Sequence, residues 1–161
     1  MNLKIHIKCS QKWLHFLIQV RKKNMSYGFD KDERSSFKYW FAHWCAFNMT
    51  ALCLHAWKPK YLLHDIEKPW LKLLWSDYKR VQQWHRMHNR HHMEYHINNG
   101  FKDIDWEAMV IDNECCRFTK SQAQMTARQW YDYVKESDRF NAEEIEEMAK
   151  NYVPILDKLG L

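Results

Sequence analysis

The sequence predicts an all-α fold, and three features of its composition lead to this prediction. Only 3 Gly and 3 Pro occur in 161 residues, so few positions would break a helix. Residues that favour helices, such as Lys, Glu, Gln, Leu and Met, are plentiful. Hydrophobic residues make up 46% of the chain and aromatic residues 16%, which is too apolar for a disordered protein. At this length, residues 1–161 fit a single domain, a bundle of about six helices around one core.

Helical periodicity defines the elements of the first half of the chain. An amphipathic helix is predicted over residues 4–22, followed by a polar loop over residues 23–36. Ser35 or Ser36 is expected to cap the next helix, over residues 37–57. That helix is apolar nearly all round, which is typical of a helix in the middle of a core.

Pro69 is placed to open a long helix predicted over residues 70–98, because proline is tolerated in the first helical turn. The sequence Asn98-Asn99-Gly100 is expected to end it. Three shorter helices are predicted after that. Asn141 and Glu144 form a plausible capping pair for the last of them. The predicted ranges are residues 105–118, 126–137 and 142–159.

Charge is distributed unevenly along the chain. Residues 1–102 contain 18 Lys and Arg against 7 Asp and Glu, whereas residues 103–161 contain 7 against 13. A basic front half suits a phosphate-bearing partner, either a nucleotide or a nucleic acid. An ordinary solvated surface of mixed charge explains the same numbers equally well.

The cysteines and the apolar segments predict a cytoplasmic protein. The five cysteines are odd in number and none is in C-x-x-C spacing, so neither a disulfide framework nor a zinc ribbon is indicated. Reduced, buried thiols are expected, as in the cytosol. The apolar stretch over residues 13–20 is too short to span a bilayer, and no export signal is predicted.

The segment over residues 83–96 is unusually rich in histidine. On a continuous helix, His85, His88, His92 and His96 would share one narrow stripe, and His91 would point elsewhere. Imidazoles at such spacing are suited to binding one cation. We therefore predict that His85, His88 and His92 bind a second metal ion or the substrate. Polar surface histidines, or hydrogen bonds across a helix interface, are the alternative interpretation.

A second group of candidate residues surrounds the dipeptide His64-Asp65. His43 lies 21 residues before His64, and Asp112 lies 47 residues after Asp65 in an apolar run. A buried carboxylate such as that of Asp112 needs a cation or several hydrogen-bond donors. His43 taken alone could equally be a core residue. Lys68 follows Asp65 by three positions and could equally be a plain surface lysine.

The order H…HD…D resembles the HD superfamily of metal-dependent phosphohydrolases. Three further motifs resemble a family of short phage and bacterial proteins of uncharacterised function, within or near that superfamily. The resemblance covers residues 38–134 and excludes residues 1–34; its most specific part is N-R-H-H. Glu67 stands where that family usually has a small residue, and Pro69 where it has an aromatic one. The motifs are His64-Asp65-Ile66-Glu67-Lys68, Asn89-Arg90-His91-His92-Met93-Glu94-Tyr95 and Asp105-Trp106-Glu107-Ala108-Met109.

The resemblance implies a metal site and a reaction. It makes His43, His64, Asp65 and Asp112 metal ligands, gives Asp65 a catalytic role in orienting water, and places Lys68 on a substrate phosphate. Such a mixed nitrogen and oxygen site suits one or two ions of Mn, Fe, Zn, Co or Ni. A metal-activated water would attack phosphorus, and Lys68, Arg86 and Arg90 would meet the charge on the phosphate.

The predicted function is therefore that of a metal-dependent phosphohydrolase acting on a nucleotide or small phosphoester. The alternative is a catalytically inactive helical protein of the same type that binds nucleic acid or a host protein. Oxidative chemistry at a pair of iron ions is a third hypothesis. No membrane partner is expected. The many aromatic residues fit either a homodimer interface or a large core, and the sequence leaves both open.

Overall fold

The computed structural model describes residues 31–121 and 125–161. These residues form α-helices and short 3-10 helices and no strand, which confirms the predicted all-α fold. The predicted helix over residues 4–22 lies outside the described residues. The α-helices are α1 (Phe37–Cys53), α2 (Glu67–Leu74), α3 (Tyr78–His88), α4 (His96–Asn99), α5 (Trp106–Thr119), α6 (Ala127–Glu136) and α7 (Ala142–Leu159). The 3-10 helices are Lys31–Ser35, Pro59–Leu63, Met93–Tyr95 and Phe101–Asp103.

Side-chain caps set the starts of several helices. Ser36 accepts a hydrogen bond from the Tyr39 backbone N–H at 3.1 Å and so begins α1. Asn141 and Glu144 form the predicted reciprocal capping box at the start of α7. Helix α1 ends at Cys53, four residues before the predicted end, and His55 then adopts a left-handed backbone (φ 54°) that turns the chain away.

Helix α5 is the central element of the core. It packs along α1 on one side and against α6 and α7 on the other. Two groups of buried apolar side chains result. Phe47, Ala51, Ile111 and Cys115 fill the space between α1 and α5. Met109, Val110, Val134, Met148, Tyr152 and Leu156 join α5 to α6 and α7. Because α5 is enclosed on both sides, its polar residue Asp112 is buried as well.

The prediction of one long helix over residues 70–98 is wrong. Helix α2 ends at Leu74, and Asp77 caps α3 by accepting a hydrogen bond from the Lys79 N–H. Helix α3 ends at His88, because Asn89 takes an extended conformation (φ −102°, ψ 126°). The Asn89 amide instead donates to Glu67 at 2.8 Å. Tertiary contacts thus interrupt a segment whose composition favours a continuous helix.

Two observations concern the environment of the chain. None of the four cysteines within residues 31–121 and 125–161 forms a disulfide. Within the same residues, no helix combines the length and the apolar character required to cross a bilayer.

Replacing Asn141 with alanine is expected to lower the free energy of unfolding by about 1 kcal/mol, because the N–H groups of the first turn of α7 lose their cap. Urea denaturation followed by circular dichroism measures this change. Asn141→Asp is the control, since aspartate is an equally good cap, and it should remain near the wild type. Equal stability of Asn141→Ala and Asn141→Asp would contradict this account of where α7 begins.

Candidate metal centre

Three parts of the chain bring the residues of the H…HD…D pattern together. His43 comes from the middle of α1, and Asp112 comes from the facing side of α5. His64 and Asp65 lie in the turn between the 3-10 helix Pro59–Leu63 and α2. The His64 ring stacks on Phe47 with 3.6 Å between ring centroids, which fixes its orientation. All four side chains are buried.

The ring nitrogens of His43 and His64 lie close to each other and to the two carboxylates. His43 Nε2 lies 2.9 Å from Asp112 Oδ1 and 3.6 Å from Asp65 Oδ2. His64 Nε2 lies 3.5 Å from Asp112 Oδ1 and 3.4 Å from His43 Nε2. Ligands about 2.1 Å from a tetrahedrally coordinated ion are about 3.4 Å apart, so these separations suit a shared divalent cation.

A left-handed turn positions the Asp65 carboxylate. Asp65 has φ of 58°, a conformation that costs an ordinary residue roughly 1–2 kcal/mol and that aspartate tolerates better than most. The Asp65 carbonyl accepts hydrogen bonds from Trp40 Nε1 at 2.8 Å and from the Lys68 N–H at 3.1 Å, which hold the turn. Lys68 Nζ also donates to Asp65 Oδ2 at 2.5 Å.

A second group of imidazoles surrounds the other oxygen of Asp65. His85 Nε2 lies 3.3 Å and His91 Nε2 3.2 Å from Asp65 Oδ1. His92 Nε2 lies 2.7 Å from His85 Nε2. The three rings can each offer a nitrogen to one ion. Asp65 therefore lies between two groups of donors, each of which could hold a metal.

Two buried atoms of this second group lack the hydrogen bonds that burial normally requires. Asp65 Oδ1 and His91 Nε2 are shielded from solvent and lie 3.2 Å apart, yet neither makes a well-aligned hydrogen bond. Leaving a buried carboxylate oxygen unsatisfied is costly. A cation between them removes that cost, so the donor set fits a metal ion.

The structure corrects the predicted histidine stripe. Since α3 ends at His88, helical spacing does not apply beyond it. His91, which the stripe excluded, lies in the cluster, whereas His88 is exposed, stacks on Trp84 and bonds to the Trp84 carbonyl. His96 stacks on Phe101 instead. Of the predicted second-site residues, His85 lies beside Asp65 and His92 contacts His85, whereas His88 lies outside the cluster.

Glu67 and Asn89 are contributors that sequence reasoning missed. The Glu67 carboxylate hydrogen-bonds to His85 Nδ1, and Asn89 donates to the same Glu67 oxygen. A carboxylate on one ring nitrogen fixes the tautomer and leaves the other nitrogen, Nε2, as the metal-binding lone pair. One signal in the sequence could have identified Glu67, because it stands where the resembling family usually has a small residue.

Burial and local charges set the protonation of the candidate ligands. At His43, burial is outweighed by the hydrogen bond with Asp112 and the charge of Asp112, which raise the pKa and favour the protonated ring. Burial by itself would raise the pKa of Asp65, but the charges of His64, Lys68 and His85 hold it well below its usual range. Burial is likewise outweighed at Asp112, whose pKa is lowered well below the usual value by hydrogen bonds from His43 and His64. Burial lowers the pKa of both His85 and His92. Ionised carboxylates and neutral imidazoles are the forms that bind metal.

A third set of donors, consisting of His43, Asp112, Cys115 and Cys116, is also close enough to share an ion. Lys120 Nζ, however, donates to Cys116 Sγ at 2.7 Å. A hydrogen bond with Cys115 and the charge of Lys120, opposed by burial, lower the pKa of Cys116 to about 6. Because the Lys120 ammonium already neutralises the Cys116 thiolate, this set suits a cation less well than the sets around Asp65.

The centre opens onto a cleft of about 820 Å³. Its lining includes candidate metal donors, such as Asp112 and His92, and more basic than acidic side chains. Arg86 lies in this wall, as the sequence predicted for a phosphate-binding residue, whereas Arg90 does not and bonds to the Asp103 carbonyl instead. The basic residues of the cleft are Arg34, Lys68, Lys79, Arg86 and Lys120.

Comparisons with protein-family models, with curated proteins and with solved structures find no match to this chain. The functional argument therefore depends on the geometry and chemistry of the centre.

Replacing His92 with alanine is expected to lower the metal content of Mn²⁺- or Zn²⁺-saturated protein from two ions per chain to one, because His92 belongs only to the second group of donors. Elemental analysis of gel-filtered protein measures the ratio. His88→Ala is the matched control, since His88 lies outside the cluster on the same stretch of chain, and it should retain two ions. Equal losses in the two variants, or a wild type without metal, would contradict this assignment of donors.

Proposed function

We propose that this protein is a metal-dependent phosphohydrolase of the HD type that acts on a nucleotide or another small phosphoester. One observation carries the proposal: the Asp65 carboxylate, buried and incompletely hydrogen-bonded, lies between two groups of imidazoles and contacts Lys68, which lines a cleft together with several other basic residues. This combination supplies both a place for divalent cations and a place for the anion they would activate.

The donor sets indicate which residues would hold the ions. His43, His64, Asp65 and Asp112 would hold one, and Asp65, His85, His91 and His92 the other, so that Asp65 would be shared. Mixed imidazole and carboxylate donors favour Mn, Fe, Zn, Co or Ni over Ca. A divalent ion supplies a Lewis acid for phosphoryl oxygens and lowers the pKa of water bound to it.

Lys68 is the residue best placed to bind the phosphate. Its ammonium lies beside Asp65 Oδ2 and lines the cleft. Burial favours the neutral amine, but the charge of Asp65 outweighs it and raises the pKa of Lys68, which therefore stays protonated. A fixed, partly desolvated cation at this position can meet the charge that develops on the non-bridging oxygens of the phosphate.

Further cations extend the binding surface along the cleft. Lys79 and Arg86 come from α3, and Lys120 follows the end of α5. They face the same volume as Lys68, whereas Glu94 is the main opposing carboxylate away from the metal donors. A multiply charged anion, such as the phosphate end of a nucleotide, suits this surface.

Oxidative chemistry at a pair of iron ions is the second candidate function, and the number of imidazoles around one carboxylate favours it. The same donors would serve both reactions. Iron content, visible absorption and oxygen consumption separate this function from hydrolysis.

The proposed activity is tested with metal-saturated protein and a panel of phosphomonoesters, nucleotides and cyclic dinucleotides. The wild type is expected to hydrolyse at least one class. Asp65→Asn should lose roughly 100-fold or more in kcat/KM and should lose bound metal, because the amide keeps the size and tolerates the left-handed turn but removes the charge.

Two controls accompany this experiment. Asp132→Asn changes an exposed aspartate of α6 and should keep full activity. Circular dichroism should show unchanged helix content in Asp65→Asn. Metal-saturated wild type that hydrolyses no member of the panel would overturn the proposed function, and iron-dependent oxygen consumption would favour the second candidate.

A further inference from the structure

A second cavity, of about 340 Å³, shares His43 and Lys68 with the larger cleft. Its volume is at the lower end of the range of about 300–1,000 Å³ that is typical of small-molecule sites. His43, Asp65 and Lys68 are among its lining residues, so the cavity adjoins the candidate metal donors. A phosphate held at the centre would therefore carry any attached group directly into this cavity.

The two cavities differ in chemistry. The larger cleft contains Lys79, Arg86 and Lys120, none of which lines the smaller cavity. The smaller cavity is walled mainly by apolar and aromatic side chains from α1 and α2, and its basic lining residues are Arg34, Lys68 and Lys72. Its main apolar walls are formed by Phe37, Trp40, Pro69, Trp70 and Leu73.

Three of these apolar side chains are largely exposed to solvent. Phe37 is 67% exposed, Trp70 66% and Leu73 78%. Large apolar side chains that line a concave surface next to polar groups are typical of ligand pockets. Phe37 and Trp40 have ring centroids 5.1 Å apart, so they present adjoining aromatic surfaces. Flat aromatic groups pack favourably on such surfaces.

We propose that this cavity binds a flat, uncharged aromatic group joined to the phosphate of the substrate, so that the substrate is an aromatic phosphoester. The inference rests on the proposed function, which places the phosphate at the centre. Nucleobases and simple aryl groups are both flat, uncharged and aromatic, so both fit this description. Phe37, Trp40, Trp70 and Leu73 determine specificity at this subsite, whereas Lys68 and the metal donors act on the phosphate.

The test measures binding with phosphonates, whose carbon–phosphorus bond is not hydrolysed. Isothermal titration calorimetry of Mn²⁺-loaded protein compares methylphosphonate, 1-naphthylmethylphosphonate and the methylene phosphonate analogue of adenosine monophosphate. At least one aromatic ligand is expected to bind about tenfold more tightly than methylphosphonate. Preference for the adenosine analogue would identify a nucleobase subsite, and preference for the naphthyl compound alone would identify an aryl subsite.

Variants of the exposed lining residues test whether this cavity causes the preference for aromatic phosphonates. Trp70→Ala and Leu73→Ser should each reduce it to about threefold or less, while methylphosphonate binding is unchanged. Leu74→Ser is the matched control, because Leu74 is a neighbouring residue of α2 with 75% exposure that does not line the cavity. Since all three side chains are exposed, the variants are expected to fold.

The results separate this inference from the proposed function. A wild type without aromatic preference, or a preference that survives both Trp70→Ala and Leu73→Ser, would overturn the subsite even if phosphoesters are hydrolysed. An aromatic preference that depends on Trp70 and Leu73 supports the subsite, and absence of hydrolysis of the matching esters would then overturn only the reaction class.

Discussion

The arrangement of the centre depends on the Asp65 carboxylate and on the turn that aims it. In the left-handed conformation of Asp65, one carboxylate oxygen faces His43 and Lys68 and the other faces His64, His85 and His91. An extended or helical backbone at this position would direct the side chain elsewhere. The hydrogen bond from Trp40 to the Asp65 carbonyl ties the turn to α1 and so joins the fold to the site.

The centre also depends on the packing of α5, which buries the candidate metal donors. Its contacts with α1, α6 and α7 enclose Asp112 and place it opposite His43. In this low-dielectric setting, carboxylates and imidazoles interact strongly and the unsatisfied oxygen of Asp65 becomes costly. A divalent cation bound at the centre would satisfy that oxygen. The cleft and the smaller cavity leave that centre open on two sides.

Much of the fold could be predicted from local sequence, because local interactions determine it. Helix α7 begins and ends where periodicity predicted, since the Asn141–Glu144 capping box starts it and Gly160 ends it in a left-handed conformation. The long helix over residues 70–98 could not be excluded in this way. It is interrupted twice without glycine or proline. Asp77 caps α3 after α2 ends at Leu74, and Asn89, which contacts the distant Glu67, follows the end of α3.

The candidate site likewise contains residues that the sequence could identify and residues that only tertiary contacts bring to it. The resemblance of the H…HD…D order to the HD superfamily was what grouped His43, His64, Asp65 and Asp112, and the structure brings these residues together. His91 was missed and His88 was included because helical spacing was extended past the true end of α3. The support that Glu67 gives to His85 is a tertiary contact that spacing does not encode. That these residues bind metal remains a prediction.

Anomalous diffraction from crystals of Mn²⁺- or Zn²⁺-saturated protein tests the central claim most directly, because it locates each ion. We expect two peaks, one among His43, His64, Asp65 and Asp112 and one among Asp65, His85, His91 and His92. Ions bound only elsewhere on the chain, or an ordered centre without any peak, would contradict it.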